Sequence, residues 1–340
     1  MRTIVVTSAR ELLTIPHMSA THRTAQRLRE LAGTLLSRVV PNVPLSRALD
    51  ADEDTLTTRH GSMVAYHDRS AAGAERRPVV LLHSVNACAS SYEMRPLFEH
   101  YRATRPTYAL DLPGFGLSER DDDPYTIDRY VDAVREVLTW VKEHDGVADV
   151  IALSLSGEFA AHVAVRHEGL LQSLALLSPT GFDAQPRDRT SLRRPLQALR
   201  RDPVASRLVF DAVASRPSVS FFLGKTFVGE PDKELVAYAY ATSHRPDAQY
   251  APIDFLSGGL FTPDVRDDVY ARVPVPTLVI YDTDPFVGFG ALPSFVARHA
   301  RWKAERIVPT RGMPQFEQLP AVTRALESFW QPGNESNRLG

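Results

Sequence analysis

Serine 154 is the residue best placed to do chemistry. It lies in Asp149-Val150-Ile151-Ala152-Leu153-Ser154-Leu155-Ser156-Gly157. An apolar run ends at the serine, and a helical pattern, EFAAHVAVRH, follows. The residues two before and two after it, Ala152 and Ser156, are small. A strand that turns sharply into a helix brings its flanking backbones nearly into contact, so large side chains at those positions would clash. Such a turn lifts the hydroxyl clear of the sheet edge. A serine hydroxyl becomes a useful nucleophile only where a base takes its proton, so the histidines matter next. His83 ends an apolar run, and His244 lies in a mostly helical stretch that could fold over a pocket. Both are candidate bases or pocket residues. His162 and His167 fall on the helix after Ser154, where a satisfied or surface histidine is the simpler reading.

Around these residues the chain alternates short apolar runs with amphipathic segments. LTTRHGSMVAYHD suggests a β-hairpin about His60-Gly61. Buried strands are expected at 76–83, 105–111, 148–154, 171–179, 275–282 and 305–310. Helices are expected at 90–101, after Ser154, and at 321–330. Ile127, Tyr130, Val131, Val134, Val137, Leu138 and Val141 share one helical face, with Thr126 as N-cap and Gly146 as the stop. This alternation predicts an α/β fold with a mostly parallel sheet covered by helices on both faces. From about 182 to 272 the alternation gives way to helical patterns rich in Arg, Phe and Tyr, read as an insertion between two strands. The expected organisation is therefore 1–54 as an N-terminal helical extension, 55–181 with 273–330 as the core, 182–272 as a helical cap, and 331–340 as a disordered tail.

The 340 residues carry 39 Lys and Arg against 41 Asp and Glu, a formal charge of −2, with 44 % hydrophobic and 24 % charged residues. A globular protein is indicated, and a basic nucleic-acid binder is not. The single cysteine, Cys88, excludes an intrachain disulfide and argues against a Cys-based zinc site. No window holds 18 consecutive apolar residues, and the N-terminus lacks a signal-like apolar region, so a cytoplasmic protein is expected. The first 50 residues contain Arg2, Arg10, Arg23, Arg27, Arg29, Arg38 and Arg47. Leucines at helical spacing predict an amphipathic helix over 21–40. It would pack on the body or on a second subunit, giving a homodimer, or lie on a membrane surface. Phosphate loops, dinucleotide fingerprints and H-E-x-x-H motifs are lacking, so no metal or cofactor is expected and the partner is a small-molecule substrate.

Three segments together resemble the α/β-hydrolase superfamily: Leu81-Leu82-His83-Ser84-Val85-Asn86, Asp111-Leu112-Pro113-Gly114-Phe115-Gly116-Leu117-Ser118, and the Ser154 segment. The second matches a specific landmark of that family in full, and the resemblance spans about 60–330. It implies an α/β-hydrolase fold with Ser154 as nucleophile and the N–H groups of Val85 and Leu155 as the oxyanion hole. The acid implied in Tyr281-Asp282-Thr283-Asp284-Pro285-Phe286-Val287 is Asp284, with Asp282 as the alternative. The family's histidine belongs in Thr310-Arg311-Gly312-Met313-Pro314-Gln315-Phe316-Glu317-Gln318, which contains none, and Gln315 takes the expected place. A glutamine amide cannot accept a proton near neutral pH.

The reading is an enzyme acting on a small-to-medium apolar ester, lactone, thioester or C–C bonded ketone through a degenerate triad. The alternatives are a cofactor-free cyclase, lyase or isomerase on the same scaffold, and a catalytically silent ligand-binding protein. Serine at the elbow excludes the Asp- and Cys-dependent chemistries of the same fold.

Overall fold

In the computed structural model the chain divides into two units, 1–41 and 42–340. The residues described are 45–71, 76–185 and 191–331, all within the second unit. The expected helix at 21–40, its proposed dimer or membrane role, and the tail beyond 331 lie outside them.

Eight strands form one sheet: β1 (Asp52–Thr58), β2 (Gly61–Asp68), β3 (Val79–Leu82), β4 (Thr107–Leu110), β5 (Ala148–Leu153), β6 (Leu171–Leu177), β7 (Thr277–Tyr281) and β8 (Trp302–Arg306). Their spatial order is β1-β2-β4-β3-β5-β6-β7-β8. β1 and β2 pair as the antiparallel hairpin, β2 pairs antiparallel with β4, and every later pair is parallel. Strands β3 to β5 are buried at every residue. A parallel sheet covered on both sides requires such two-faced apolar strands.

Successive side chains point to opposite faces, so the sheet divides the core by residue parity. Val80, Leu82, Val150, Ala152, Leu174, Leu176 and Val279 pack in one cluster with Val134, Leu138, Phe159 and Val163 from the helices Ile127–Asp145 and Ser156–Arg166. Val79, Leu81, Ile151, Leu153, Ala175, Leu177 and Ile280 pack in the other with Leu97, Phe98, Leu326 and Phe329 from the helices Arg95–Tyr101 and Leu319–Trp330. Truncating one of these buried leucines to alanine costs roughly 2–5 kcal/mol.

The helix Ile127–Asp145 starts where the Thr126 side chain accepts the Arg129 N–H (3.2 Å). It stops at Gly146, whose φ of 90° suits glycine. At the amino edge of the sheet the buried Arg105 Nη2 donates to Asp149 Oδ2 (2.6 Å), and Ser173 Oγ donates to Asp149 Oδ1 (2.6 Å). That network ties β4, β5 and β6 at the edge opposite the candidate site.

Two expectations shift. The hairpin begins at Asp52. The last strand is Trp302–Arg306 rather than 305–310, because it is the sheet's edge and pairs only with β7, so burial does not demand an apolar run there. Between β6 and β7 the chain forms the helices Arg193–Arg200, Pro203–Val213, Arg216–Gly224, Lys233–Ser243, Tyr250–Leu256 and Val265–Asp268.

Candidate active site

Ser154 follows β5 directly, and its φ is 55°. That left-handed conformation is unfavourable for a residue with a Cβ. Neighbouring bonds over-determine it: Ser154 N–H donates to Leu177 O (2.8 Å), and Gly157 N–H donates to Ser154 O (3.2 Å). Ser156 Oγ donates back to Leu153 O (2.8 Å), closing the bend. The small neighbours serve this packing. Ala152 is fully buried, and a Cβ on Gly157 would meet Leu176 at 2.8 Å. Ser154 itself stays half-buried. Leu155 precedes the first turn of the helix Ser156–Arg166, where N–H groups have no partner within the helix. Behind this turn the buried Glu158 accepts the Thr180 hydroxyl and the Thr262 N–H (2.8 Å), tying the helix to the chain just after β6 and to the loop between the helices Tyr250–Leu256 and Val265–Asp268.

The loop bearing Val85 is organised by an acid that sequence reasoning passed over. Glu93, buried, accepts Ser84 N–H at Oε2 (2.8 Å) and Asn86 Nδ2 at Oε1 (2.9 Å). Asn86 Oδ1 in turn accepts Cys88 N–H (2.8 Å). These bonds hold the loop from 84 to 88 in one shape. Among the described residues neither Val85 N–H nor Leu155 N–H meets an acceptor.

His83 is fully buried. Leu112 N–H donates to its Nε2 (2.9 Å), and its Nδ1–H donates to Ser84 O (2.6 Å). The tautomer is thereby fixed, and burial pushes its pKa below the ordinary value. Both nitrogens are committed to backbone, so as an alternative base His83 is corrected to a strut between two loops. His244 is buried at the end of the helix Lys233–Ser243, and its Nδ1–H donates to Tyr240 O (2.7 Å). The lone pair therefore sits on Nε2. His162, within the helix Ser156–Arg166, bonds Thr262 Oγ1 (3.0 Å).

The landmark around residue 111 also gains a physical reading. Asp111, fully buried, accepts Ser91 N–H (2.8 Å), Leu117 N–H (2.9 Å) and the Tyr66 hydroxyl (3.1 Å). A Cβ at Gly116 would lie 2.0 Å from its carboxyl carbon, so only glycine fits there. Arg120, whose burial lowers its pKa to about 10, donates to Gly116 O (2.8 Å) and Thr242 Oγ1 (3.2 Å). It ties this loop to the helix Lys233–Ser243.

The two candidate acids are distinguished by their bonds. Asp282 is spent on structure: Arg306 Nε reaches Oδ1 (2.8 Å) and Thr310 N–H reaches Oδ2 (3.0 Å). Asp284 Oδ1 accepts the N–H groups of Phe286 (2.7 Å) and Val287 (3.2 Å). Its Oδ2 lies beside Gly312 in the loop after β8. A Cβ built there would sit 2.9 Å from that oxygen, and φ at Gly312 is +103°. Thr283 Oγ1 donating to Thr310 O (2.9 Å) holds the two loops together.

Gln315 is elsewhere. It is fully buried, and its Nε2 donates to Glu93 O (2.9 Å). Its Oε1 is buried with no hydrogen-bond partner among the described residues. Gln315 thus braces the residue that organises the Val85 loop, and Gly312, three residues earlier, lies beside Asp284.

Comparisons with known proteins bear on the fold and family. The alpha/beta hydrolase family model matches residues 79–325. Among curated proteins, a 2-hydroxy-6-oxo-6-(2'-aminophenyl)hexa-2,4-dienoic acid hydrolase from Metapseudomonas resinovorans is 26 % identical over 240 residues, covering 65 % of this chain and 75 % of that one. A (lyso)-N-acylphosphatidylethanolamine lipase from Mus musculus is 28 % identical over 124 residues, 36 % of this chain and 35 % of that protein. Among solved structures, a 2-hydroxy-6-oxo-6-phenylhexa-2,4-dienoate hydrolase from Rhodococcus sp. strain RHA1 superposes with a TM-score of 0.64 at 17 % identity, covering 83 % of this chain and 99 % of that one. The sheet order, the strained serine after β5 and the family match over most of the chain lead to one conclusion: this protein belongs to the alpha/beta hydrolase family.

Proposed function

We propose that the chain acts on a small-to-medium apolar ester, lactone, thioester or C–C bonded ketone. In this reading the substrate carbonyl lies beside the Ser154 hydroxyl, with its oxygen toward the N–H groups of Val85 and Leu155. Two preorganised donors at such a position favour the charge that develops on a tetrahedral intermediate. The observation that carries the reading is the left-handed Ser154 at the β5–helix junction. Strain of this kind persists only where surrounding structure enforces it, and it concentrates at functional sites. The hydrolases named above act on related carbonyl compounds, which supports the substrate class.

The triad is degenerate in this reading. The loop after β8 carries no histidine, and both ring nitrogens of His83 are bonded to backbone. His244 is the histidine of the candidate set that keeps a ring nitrogen lone pair, on Nε2. The test is active-site labelling with a fluorophosphonate. Stoichiometric labelling that disappears in Ser154→Ala supports attack by Ser154, and no labelling of the folded protein refutes it.

A second reading has its own observation. A loop after β8 without a histidine, beside an intact turn at Ser154, favours a lyase, cyclase or isomerase that uses the pocket and the two N–H donors without an acyl-enzyme. Substrate turnover by an unlabelled protein, with turnover surviving in Ser154→Ala, would support that alternative.

A further inference from the structure

The helix Pro203–Val213 is built inside out. It begins at Asp202, whose side chain caps the N–H groups of Val204 and Ala205 (both 3.0 Å). At 100° per residue, Val204, Ala205, Leu208, Val209, Ala212 and Val213 occupy one half of its circumference. That half carries no charge and faces outward: Val204, Leu208, Val209 and Val213 are 40 to 53 % exposed. The buried half carries Ser206, Arg207 and Phe210. Arg207 is turned inward, donating to Arg245 O (2.7 Å) and pairing with Asp211 (2.8 Å). A surface helix of a globular protein ordinarily has the opposite arrangement.

The next helix, Arg216–Gly224, exposes a second apolar pair, Phe221 and Phe222. Lys225 Nζ lies 4.4 Å from the Phe221 ring centroid. A lysine over exposed rings keeps its charge beside an apolar surface. Between Ser191 and Gly229 the only carboxylates are Asp202, the cap, and Asp211, the partner of Arg207. Exposed in the same stretch are Arg193, Arg194, Arg201, Arg216 and Lys225.

We propose that the outward face of Pro203–Val213, with Phe221 and Phe222, is a docking surface for an anionic phospholipid bilayer. Apolar side chains enter the headgroup boundary, and the exposed arginines and Lys225 meet lipid phosphates. The charge pattern is what selects this occupant. A second copy seated on the same face would bring two sets of cations together, an arrangement that costs affinity. The inference does not depend on the chemistry at Ser154.

The test uses the full chain and sedimentation with two vesicle preparations, phosphatidylcholine alone and phosphatidylcholine with about a third phosphatidylglycerol. Expected is at least about tenfold stronger partitioning onto the anionic vesicles, weakening as salt rises. The double variant Leu208→Ser/Val209→Ser should lose about tenfold or more of that binding, and Phe221→Ser/Phe222→Ser should lose binding independently. These side chains are exposed, so an unchanged thermal midpoint checks that each variant is folded. Wild-type protein that ignores anionic vesicles overturns the proposal. So does binding unchanged in both double variants, which would move any lipid contact elsewhere in the chain. Sedimentation velocity covers the remaining case: a wild-type dimer that becomes monomeric in Leu208→Ser/Val209→Ser would assign the face to a second copy instead.

Discussion

The strained serine makes a stability prediction that is independent of any substrate. Position 154 sits at φ 55°, fixed by the bonds to Leu177 O and from Gly157 N–H. Comparing Ser154→Ala with Ser154→Gly removes the hydroxyl from both sides of the measurement, leaving only the Cβ. Alanine pays the left-handed penalty, about 1–2 kcal/mol, which glycine escapes. Glycine in turn has more freedom to lose on folding, about 0.5–1 kcal/mol relative to alanine. Subtracting the two ranges, Ser154→Gly is the more stable by up to about 1.5 kcal/mol, with about 0.75 at the middle. For a domain of this size that is a rise in midpoint of about 1–2 °C. Urea denaturation, with the slope checked to be the same for both variants, measures the difference directly. If Ser154→Ala proves clearly more stable than Ser154→Gly, the backbone at 154 is not strained, and an enforced nucleophilic turn is ruled out with it.

Gly312→Ala should destabilise by about 1–2 kcal/mol from its φ alone, with added crowding of Asp284; an unchanged denaturation midpoint would contradict the left-handed turn there. Gln315→His should bring no esterase activity, since its side chain is buried against Glu93 O rather than Asp284; a rise of about tenfold or more in turnover, a meaningful 1.4 kcal/mol, would reinstate position 315 as the relay site. Removing one partner of the buried Arg105–Asp149 pair, as in Asp149→Ala, should cost about 3–5 kcal/mol by leaving a charge unpaired, read by the same denaturation assay. His162 has its pKa lowered to about 4, chiefly by burial and then by Arg166. Its unfolded form therefore binds the proton first, so its share of stability is complete above about pH 6.5 and falls as pH drops from there toward about 4. A His162→Gln variant should show a flatter stability profile in that window, and an identical profile would remove His162 as a contributor.

The alternation of apolar strands and amphipathic helices was legible because each central strand is buried on both faces and each helix on one, so burial writes its period into the sequence. The bend at Ser154 was legible for a related reason: steric exclusion at positions 152 and 156 is local, and only small residues satisfy it. Edge strand β8 was misplaced by a few residues because an edge strand with one neighbour needs little apolar side chain. What the tertiary structure alone decided was which groups meet across loops. Asp282 and Asp284 differ in what they hold: Asp282 bonds Arg306 at the end of β8 and the Thr310 N–H beyond it, while Asp284 accepts the N–H groups of Phe286 and Val287 in its own loop. His83 was removed as a base by two backbone partners that lie far from each other in sequence. Gln315 was turned into the core against Glu93 O, and Gly312 was set beside Asp284, by packing that the loop's sequence does not record. Contacts of this kind depend on the relative placement of elements packed on a common sheet, and a one-dimensional pattern carries the burial of each element but not the direction in which a loop side chain points.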